Sequence, residues 1–265
     1  MERSETVNSF LDKSGVATII MNKPKIHNAF DDELIQNLSQ AILDYSNNPN
    51  VRIIVISATG KSFSAGADLN WMKKMAGYSF KENLNDALNA SKLFSTIASS
   101  DKLVIAKVNG NAFGGGVGII ASCDIAIGVE TAIFSLSEVR LGLIPSMISP
   151  YVINAIGQRQ ASRYMLTGEK FTAKTAASLG LLHEVVPSAF LEEATKTLIG
   201  EILLCGPNAI SECKKLIRDV GDGLFDEDIT KMTAQRIAEI RGSVEAVSGM
   251  QAFLSKRKAK WAIDK

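Results

Sequence analysis

Three short stretches hold the residues whose types and spacing could do chemistry. The first is Leu103 to Cys123, LVIAKVNGNAFGGGVGIIASC. Its apolar opening, Leu103 to Val108, reads as a buried strand, and Asn109-Gly110 marks a turn. Three consecutive glycines follow, Gly114, Gly115 and Gly116, and then an apolar segment, Val117 to Cys123, that reads as the buried start of a helix. Glycines there let the backbone take positive φ and approach another group closely, which a Cβ forbids. The first N–H groups of a helix have no intrahelical acceptor and lie at the positive end of its dipole. A carbonyl oxygen gathering negative charge would be stabilised at such a point. The alternative is a tight strand-to-helix turn with close packing. Nucleotide loops are excluded, because no Lys-Ser or Lys-Thr follows the glycines and the spacing is not G-x-G-x-x-G.

The second stretch, Val51 to Leu69, repeats the plan of strand, glycine-bearing turn and helix start, with Ala65-Gly66-Ala67-Asp68 in the place of the glycine run. Asp68 reads as the cap of the helix that follows. The two turns together offer two backbone donors, from Ala67 and from Gly115 or a neighbour. Two such donors converging on one oxygen form an oxyanion hole, each worth roughly 3–4 kcal/mol. The third stretch is Phe134 to Glu138, FSLSE. If it is extended, Glu138 falls in phase with Phe134 and Leu136 and points to the apolar side. Desolvation would raise its pKa into a range useful for proton transfer near neutral pH. Ser135-x-x-Glu138 is equally a capping box. Both readings stand at this point.

Alternating strand and helix signals must position these groups. Val16 to Met21 reads as a strand and Asp31 to Tyr45 as a helix burying Leu34, Ile35, Leu38, Ala41 and Ile42, with Pro24 to Ala29 as a loop between them. Val51 to Ile56, Asp124 to Gly128 and Ala132 to Leu136 read as strands, and Ser79 to Ala98 as a helix. Ser149-Pro150 suits the cap and first turn of a helix running to about Leu166, and Thr172 and Gly180 bracket a shorter one. From Ser188 onward the pattern is helical, broken at Gly206-Pro207 and around Gly221 to Gly223. An α/β core over residues 1–187 and a helical region over 188–265 are therefore expected.

Whole-chain properties narrow the classes further. At 265 residues and 46% hydrophobic, with a net charge of +1, the chain has length for a sizeable core and no bias towards nucleic acid or anionic membranes. No apolar run reaches the roughly 18 residues of a membrane span. The acidic start, MERSETVNSFLDK, has neither the apolar core of a signal peptide nor the composition of a transit peptide, so the chain reads as mature. Cys123, Cys205 and Cys213 are an odd number with no C-x-x-C spacing, which points to reduced thiols in a cytoplasmic setting. Two histidines, His27 and His183, stand apart from the cysteines and from each other, which disfavours a zinc site or a Ser-His-Asp triad; His183 reads as structural.

Taken together, the motifs resemble the enoyl-CoA hydratase/isomerase (crotonase) family over nearly the whole chain. They are Pro24-x-x-x-Asn28-Ala29, Phe63 to Leu69, Val108 to Gly116, Cys123 to Ile125, Glu138-x-x-Leu141-Gly142-Leu143-x-Pro145, Leu166 to Gly168, Gly180 to Pro187 and Phe253-x-x-Lys256-Arg257-Lys258. The resemblance implies a superhelix of β-β-α turns, C-terminal helices that assemble trimers or hexamers, acyl-CoA substrates, and no metal or redox cofactor. It implies Ala67 and Gly115 as oxyanion donors and Glu138 as the acid/base. Lys25, Ala65, Gly66, Asp68, Leu69 and Gly114 would lie against the substrate, and Lys256 of a neighbouring subunit near the CoA nucleotide. The alternative for Lys256 to Lys258 is a set of cations at a helix end.

One departure bears on the reaction. Hydratases of the family commonly carry a second glutamate two residues past the third glycine, where this chain has Gly118. A single carboxylate suits a proton shift between C4 and C2, as in Δ3,Δ2-enoyl-CoA isomerases. Against that, Glu138 to Tyr151, EVRLGLIPSMISPY, looks most like the bacterial branch that hydrates methylglutaconyl-CoA or other branched enoyl-CoA esters. Ser146 to Pro150 replaces the usual glycine-rich continuation and is expected to reshape the acyl pocket. Hydration is the preferred expectation, isomerisation the alternative, and a non-catalytic acyl-CoA-binding scaffold the third. A glutamate introduced at Gly118 is expected to face the same cleft as Glu138.

Overall fold

The computed structural model describes residues 2–3, 6–221 and 226–263. In chain order the strands and helices are β1 (Glu2–Arg3), β2 (Val7–Leu11), β3 (Val16–Met21), α1 (Asp32–Asn47), β4 (Ile53–Ala58), β5 (Ser62–Ser64), α2 (Leu69–Met75), α3 (Phe80–Ser99), β6 (Leu103–Val108), β7 (Asn111–Phe113) and α4 (Gly115–Ser122). Then come β8 (Ile125–Val129), β9 (Ile133–Ser135), α5 (Ser149–Thr167), β10 (Phe171–Thr172), α6 (Ala173–Leu179), β11 (Glu184–Val186), α7 (Leu191–Leu203), α8 (Pro207–Gly221), α9 (Glu227–Arg241) and α10 (Val244–Leu254). The chain divides into two compact units, residues 1–100 with 104–195, and residues 101–103 with 196–265.

The first unit holds two sheets. One has seven strands in the order β1-β2-β3-β4-β6-β8-β11, the other four in the order β10-β9-β7-β5. Each turn of the chain lays one strand in the large sheet and the next, shorter one in the small sheet before entering a helix. β4-β5-α2, β6-β7-α4 and β8-β9-α5 are three such turns. The strands β3 and β4 pair in parallel from Val16↔Ile53 to Met21↔Ala58. Five successive residues of β4, Ile53 to Ser57, are buried, as expected of a parallel strand covered on both faces.

Helix starts in this unit follow the sequence signals closely. The Asp31 carboxylate accepts from the Leu34 N–H at 2.9 Å and opens α1, which buries Leu34, Ile35, Leu38 and Ile42. Ser79 and Glu82 close a reciprocal capping box on α3. Thr172 caps α6, and Gly180, at φ +91°, ends it. One expected cap is absent. Ile148, not Ser149, is the residue before α5, and Ser149 Oγ donates instead to the Ser146 carbonyl at 2.8 Å. Gly157 (φ 75°, ψ 153°) also kinks α5 internally, which the helical spacing did not reveal.

The second unit is helical and is tied by side chains that serve as caps. The Glu245 carboxylate of α10 accepts from the N–H groups of Asn208 (3.1 Å) and Ala209 (2.8 Å) at the start of α8, where helix amides lack intrahelical partners. Lys214 is buried and donates to the Lys102 carbonyl at 3.0 Å. The expected break after Gly206 is present. Of the one expected around Gly221 to Gly223, Gly221 ends α8, and the other two residues lie outside the described ones.

Candidate active site

The site is built where the turn after β5 meets the turn after β7. Between Lys23 and Phe30 the chain is locked by Asn28, which is fully buried and left-handed (φ 53°). Its amide donates to the carbonyls of Thr59 (2.8 Å) and Ser62 (2.9 Å), and its side-chain oxygen accepts from the Lys23 N–H (2.8 Å). Ser64 Oγ donates to the Asn28 carbonyl at 2.9 Å. Asn28 thereby fixes Phe30, whose N–H donates to the Gly66 carbonyl (2.7 Å) and whose carbonyl accepts from the Asp68 N–H (2.8 Å). These two bonds form an isolated parallel bridge between Phe30 and Ala67. In such a bridge the residue between the two bonded groups turns its own N–H and C=O to the opposite side. The Ala67 N–H is therefore directed away from Phe30.

The second turn comes against the first. A Cβ on Gly66 (φ +87°) would sit 3.3 Å from the Phe113 carbonyl oxygen, and one on Gly114 would sit 4.0 Å from the Gly66 Cα. Gly114 takes φ 49°, ψ −117°, which only glycine adopts without strain, and donates to the Ser135 carbonyl at 3.0 Å. It precedes Gly115, the first residue of α4, whose N–H belongs to the turn without intrahelical acceptors. The Phe30 ring packs on that residue so tightly that a Cβ on Gly115 would come within 2.7 Å of it. One aromatic residue thus pins the Ala67 turn through its backbone and covers the Gly115 turn through its ring. The motif Pro24-x-x-x-Asn28-Ala29 pointed to this loop, but no spacing rule singles out Phe30.

Glu138 reaches the same place by a route the sequence did not indicate. Residues Ser137–Leu141 form a 3-10 turn, so the extended phasing with Phe134 and Leu136 ends at β9. The capping box is absent as well, because Ser135 Oγ donates to the Gly168 carbonyl at 3.0 Å. The Glu138 carboxylate instead lies over Gly114, with Oε1 3.0 Å from where a Cβ on that glycine would be. Its Oε2 is buried and, among the described residues, has no hydrogen-bond partner. Burial holds the carboxyl above the ordinary carboxylate range, against a smaller opposing pull from its own backbone N–H.

The surroundings of Gly118 are apolar and close. A Cβ there would lie 2.2 Å from Ile148 Cγ2, 2.9 Å from Ile148 Cβ and 2.9 Å from Phe94 Cε1. A glutamate at this position could not enter without moving Ile148, since its first carbon already overlaps that side chain.

A family model described as enoyl-CoA hydratase/isomerase matches residues 12–264. The chain belongs to this family. It is 32% identical over 252 residues to an enoyl-CoA hydratase of Alternaria alternata, covering 94% of this chain and 81% of that one. To the human enoyl-CoA hydratase domain-containing protein 3, mitochondrial, it is 30% identical over 253 residues, covering 94% and 81%. A solved enoyl-CoA hydratase from Shewanella pealeana is 41% identical, with a TM-score of 0.93 over 97% of this chain and 96% of that one. The chain is an enzyme of the enoyl-CoA hydratase/isomerase family, with the crotonase fold, and the family acts on acyl-CoA substrates.

Within this family member the remaining candidates are placed as follows. Ala65 donates to the His27 carbonyl at 2.9 Å and holds the Ala67 turn from its other side. The Asp68 carboxylate accepts from the N–H groups of Asn70 (2.8 Å) and Trp71 (3.1 Å), so it caps α2. Leu69 is 73% exposed. Lys25 is exposed on a 3-10 turn, Pro24–Ile26, and the next residue, Ile26, lines an open cleft of about 440 Å³ with Asp68, Asn70 and Trp71. Lys256 belongs to the second unit, where it takes φ 52° and donates its N–H to the Phe253 carbonyl at 3.0 Å. His183 Nδ1 accepts from the Ala126 N–H at 3.1 Å, a structural role. Among the described residues no helix is long and apolar enough to cross a membrane.

Proposed function

We propose that this enzyme adds water across the 2,3 double bond of an enoyl-CoA thioester, with Ala67 and Gly115 as oxyanion donors and Glu138 as the acid/base. The observation that carries the proposal is the buried, unpartnered Glu138 Oε2 beside the two glycine turns. Ionised Glu138 takes a proton from water as the water oxygen bonds to C3. The π electrons move to the thioester oxygen, where the two N–H groups stabilise the charge. Glu138 then delivers its proton to C2 and the carbonyl re-forms. Atoms and charge balance with one carboxylate, and the CoA is part of the substrate. Hydration is supported by relatives named as enoyl-CoA hydratases. A branched acyl group such as 3-methylglutaconyl is supported by the run Glu138 to Tyr151.

The apolar filling around Gly118 favours a second reading, Δ3,Δ2-enoyl-CoA isomerase. In that reaction Glu138 removes a proton from C2 of a 3-enoyl ester and returns it at C4, and no water needs activation. In either reading Lys25 and Lys256 hold the CoA moiety, Lys256 reaching a neighbouring copy in a trimer or hexamer. A panel of 2-enoyl-, 3-enoyl- and 3-methylglutaconyl-CoA esters, followed by the absorbance of the conjugated thioester, separates the readings. Hydration predicts loss of that absorbance from a 2-enoyl ester. Conversion of 3-enoyl to 2-enoyl esters with no water added to any of them contradicts hydration and supports isomerisation. Binding without turnover contradicts both and supports the scaffold.

A further inference from the structure

α2 follows the Ala67 turn directly, so whatever holds α2 also aims the Ala67 N–H. The helix has only seven residues, Leu69–Met75, too few to persist on helical propensity alone. Among the described residues of α2, Trp71 alone is buried, at 7% exposure. That residue is tied at both ends. Its backbone N–H donates to the Asp68 carboxylate at 3.1 Å, and its indole N–H donates to Asp86 Oδ1 of α3 at 3.2 Å. Asp86 stands on a well-supported element, since α3 is closed by the Ser79–Glu82 box ahead of it and buries Ala90, Leu93, Phe94 and Ile97 after it. Burial holds the Asp86 carboxyl above the ordinary aspartate range, against a smaller pull from the Trp71 N–H, and the neighbouring Asp32 adds to the rise. A tie from α2 to α1, Lys74 to Asp32 at 2.9 Å, joins two exposed side chains, and such pairs contribute little. The buried indole and its bond to Asp86 therefore decide where α2 sits.

We propose that Asp86 is a positioning residue of this enzyme: through Trp71 it fixes the first turn of α2, and with it the direction of the Ala67 amide at the thioester oxygen. This rests on the proposed oxyanion role of Ala67. The connection runs from Asp86 through the indole N–H to the Trp71 backbone, then to the Asp68 cap, whose own N–H is held by the Phe30 carbonyl at 2.8 Å. Ala67 is thus held by Phe30 on one side and by α2 on the other, and it loses its aim if α2 rocks. A misaimed donor weakens the transition state more than the bound substrate, because charge on the oxygen develops only there.

The test uses Asp86→Ala, the conservative Asp86→Asn, and Trp71→Phe, which keeps a ring and removes the N–H. Steady-state kinetics with the best ester of the panel are read beside amide hydrogen exchange over residues 66–75. Asp86→Ala is expected to speed exchange there and to lower kcat by about 10–100-fold with KM nearly unchanged, since a misplacement of about 1 Å can cost about 10²-fold. Asp86→Asn still offers the indole an acceptor and should restore most of kcat and the slow exchange. Trp71→Phe should match Asp86→Ala, and combining the two should add no further loss. Wild-type kcat in Asp86→Ala, whether exchange speeds up or not, would overturn the inference, as would a loss of kcat that Asp86→Asn fails to rescue. Faster exchange in Asp86→Ala of a protein whose wild type turns over no ester would uphold the hold on α2 and contradict the proposed reaction instead.

Discussion

At the scale of single residues the site turns on one carboxyl and on the glycines that let it in. Burial raises the Glu138 pKa, and both proposed reactions start from its ionised form. Activity is therefore present above the raised pKa and lost as pH falls through it. A plot of kcat/KM against pH is expected to show an acid limb above the ordinary glutamate range, and a limb at or below that range would contradict the assignment. Gly118 carries a second expectation. Gly118→Ala places a methyl group inside Ile148 and should cost about 1–3 kcal/mol by overpacking. Pairing it with Ile148→Ala should recover part of that loss in a chemical-denaturation experiment, and strictly additive losses would mean the two do not touch. The sequence pointed Glu138 to the apolar side, but neither of its two readings matches the 3-10 turn that carries it. A 3-10 turn depends on the Gly142 left-handed end and on packing by the next segment, which neither a period of two nor a capping pattern records. Ile148 and Phe94 lie far from Gly118 in the chain, so their closing of that space was not legible at all.

At the scale of elements the repeated strand-turn-helix unit explains why two small-residue turns converge. Apolar runs made the larger strands legible, as at β3 and β6, and polar caps marked α2 and α6. The short strands β5, β7 and β11 were not read, because two or three residues in extended form show no periodicity. They nonetheless hold the site: β5 and β7 pair in parallel and carry the two turns. Asn28 couples these elements. Asn28→Ala would leave the Thr59 and Ser62 carbonyls and the Lys23 N–H without their partner. A loss of roughly 2–4 kcal/mol in unfolding free energy is expected, since each unsatisfied buried group costs about 1–3 kcal/mol. The lost support for Phe30 should also lower kcat. A variant of wild-type stability would show that Asn28 does not anchor the loop.

At the scale of the whole molecule the proposed assembly follows from apolar groups that the chain leaves uncovered. Ile217, Phe253 and Leu254 of the second unit are 67%, 82% and 80% exposed. Light scattering is expected to give a trimer or its double, and a monodisperse monomer would contradict the assembly. The helical character of the last third was legible from its spacing, whereas the partner of each apolar face was not, since one chain carries no record of what covers it. If Lys256 serves the CoA of a neighbouring copy, Lys256→Ala should raise KM and leave kcat nearly unchanged. A pure loss of kcat would contradict that role. The central claim is that Glu138 alone carries the proton at a thioester held by two backbone amides. Its most direct test is Glu138→Gln, which keeps the side-chain shape and leaves the Ala67 and Gly115 amides in place. Steady-state kinetics with the best ester of the panel should show kcat lowered by about 10²–10⁴-fold and KM nearly unchanged. Turnover equal to that of the wild type would contradict the account.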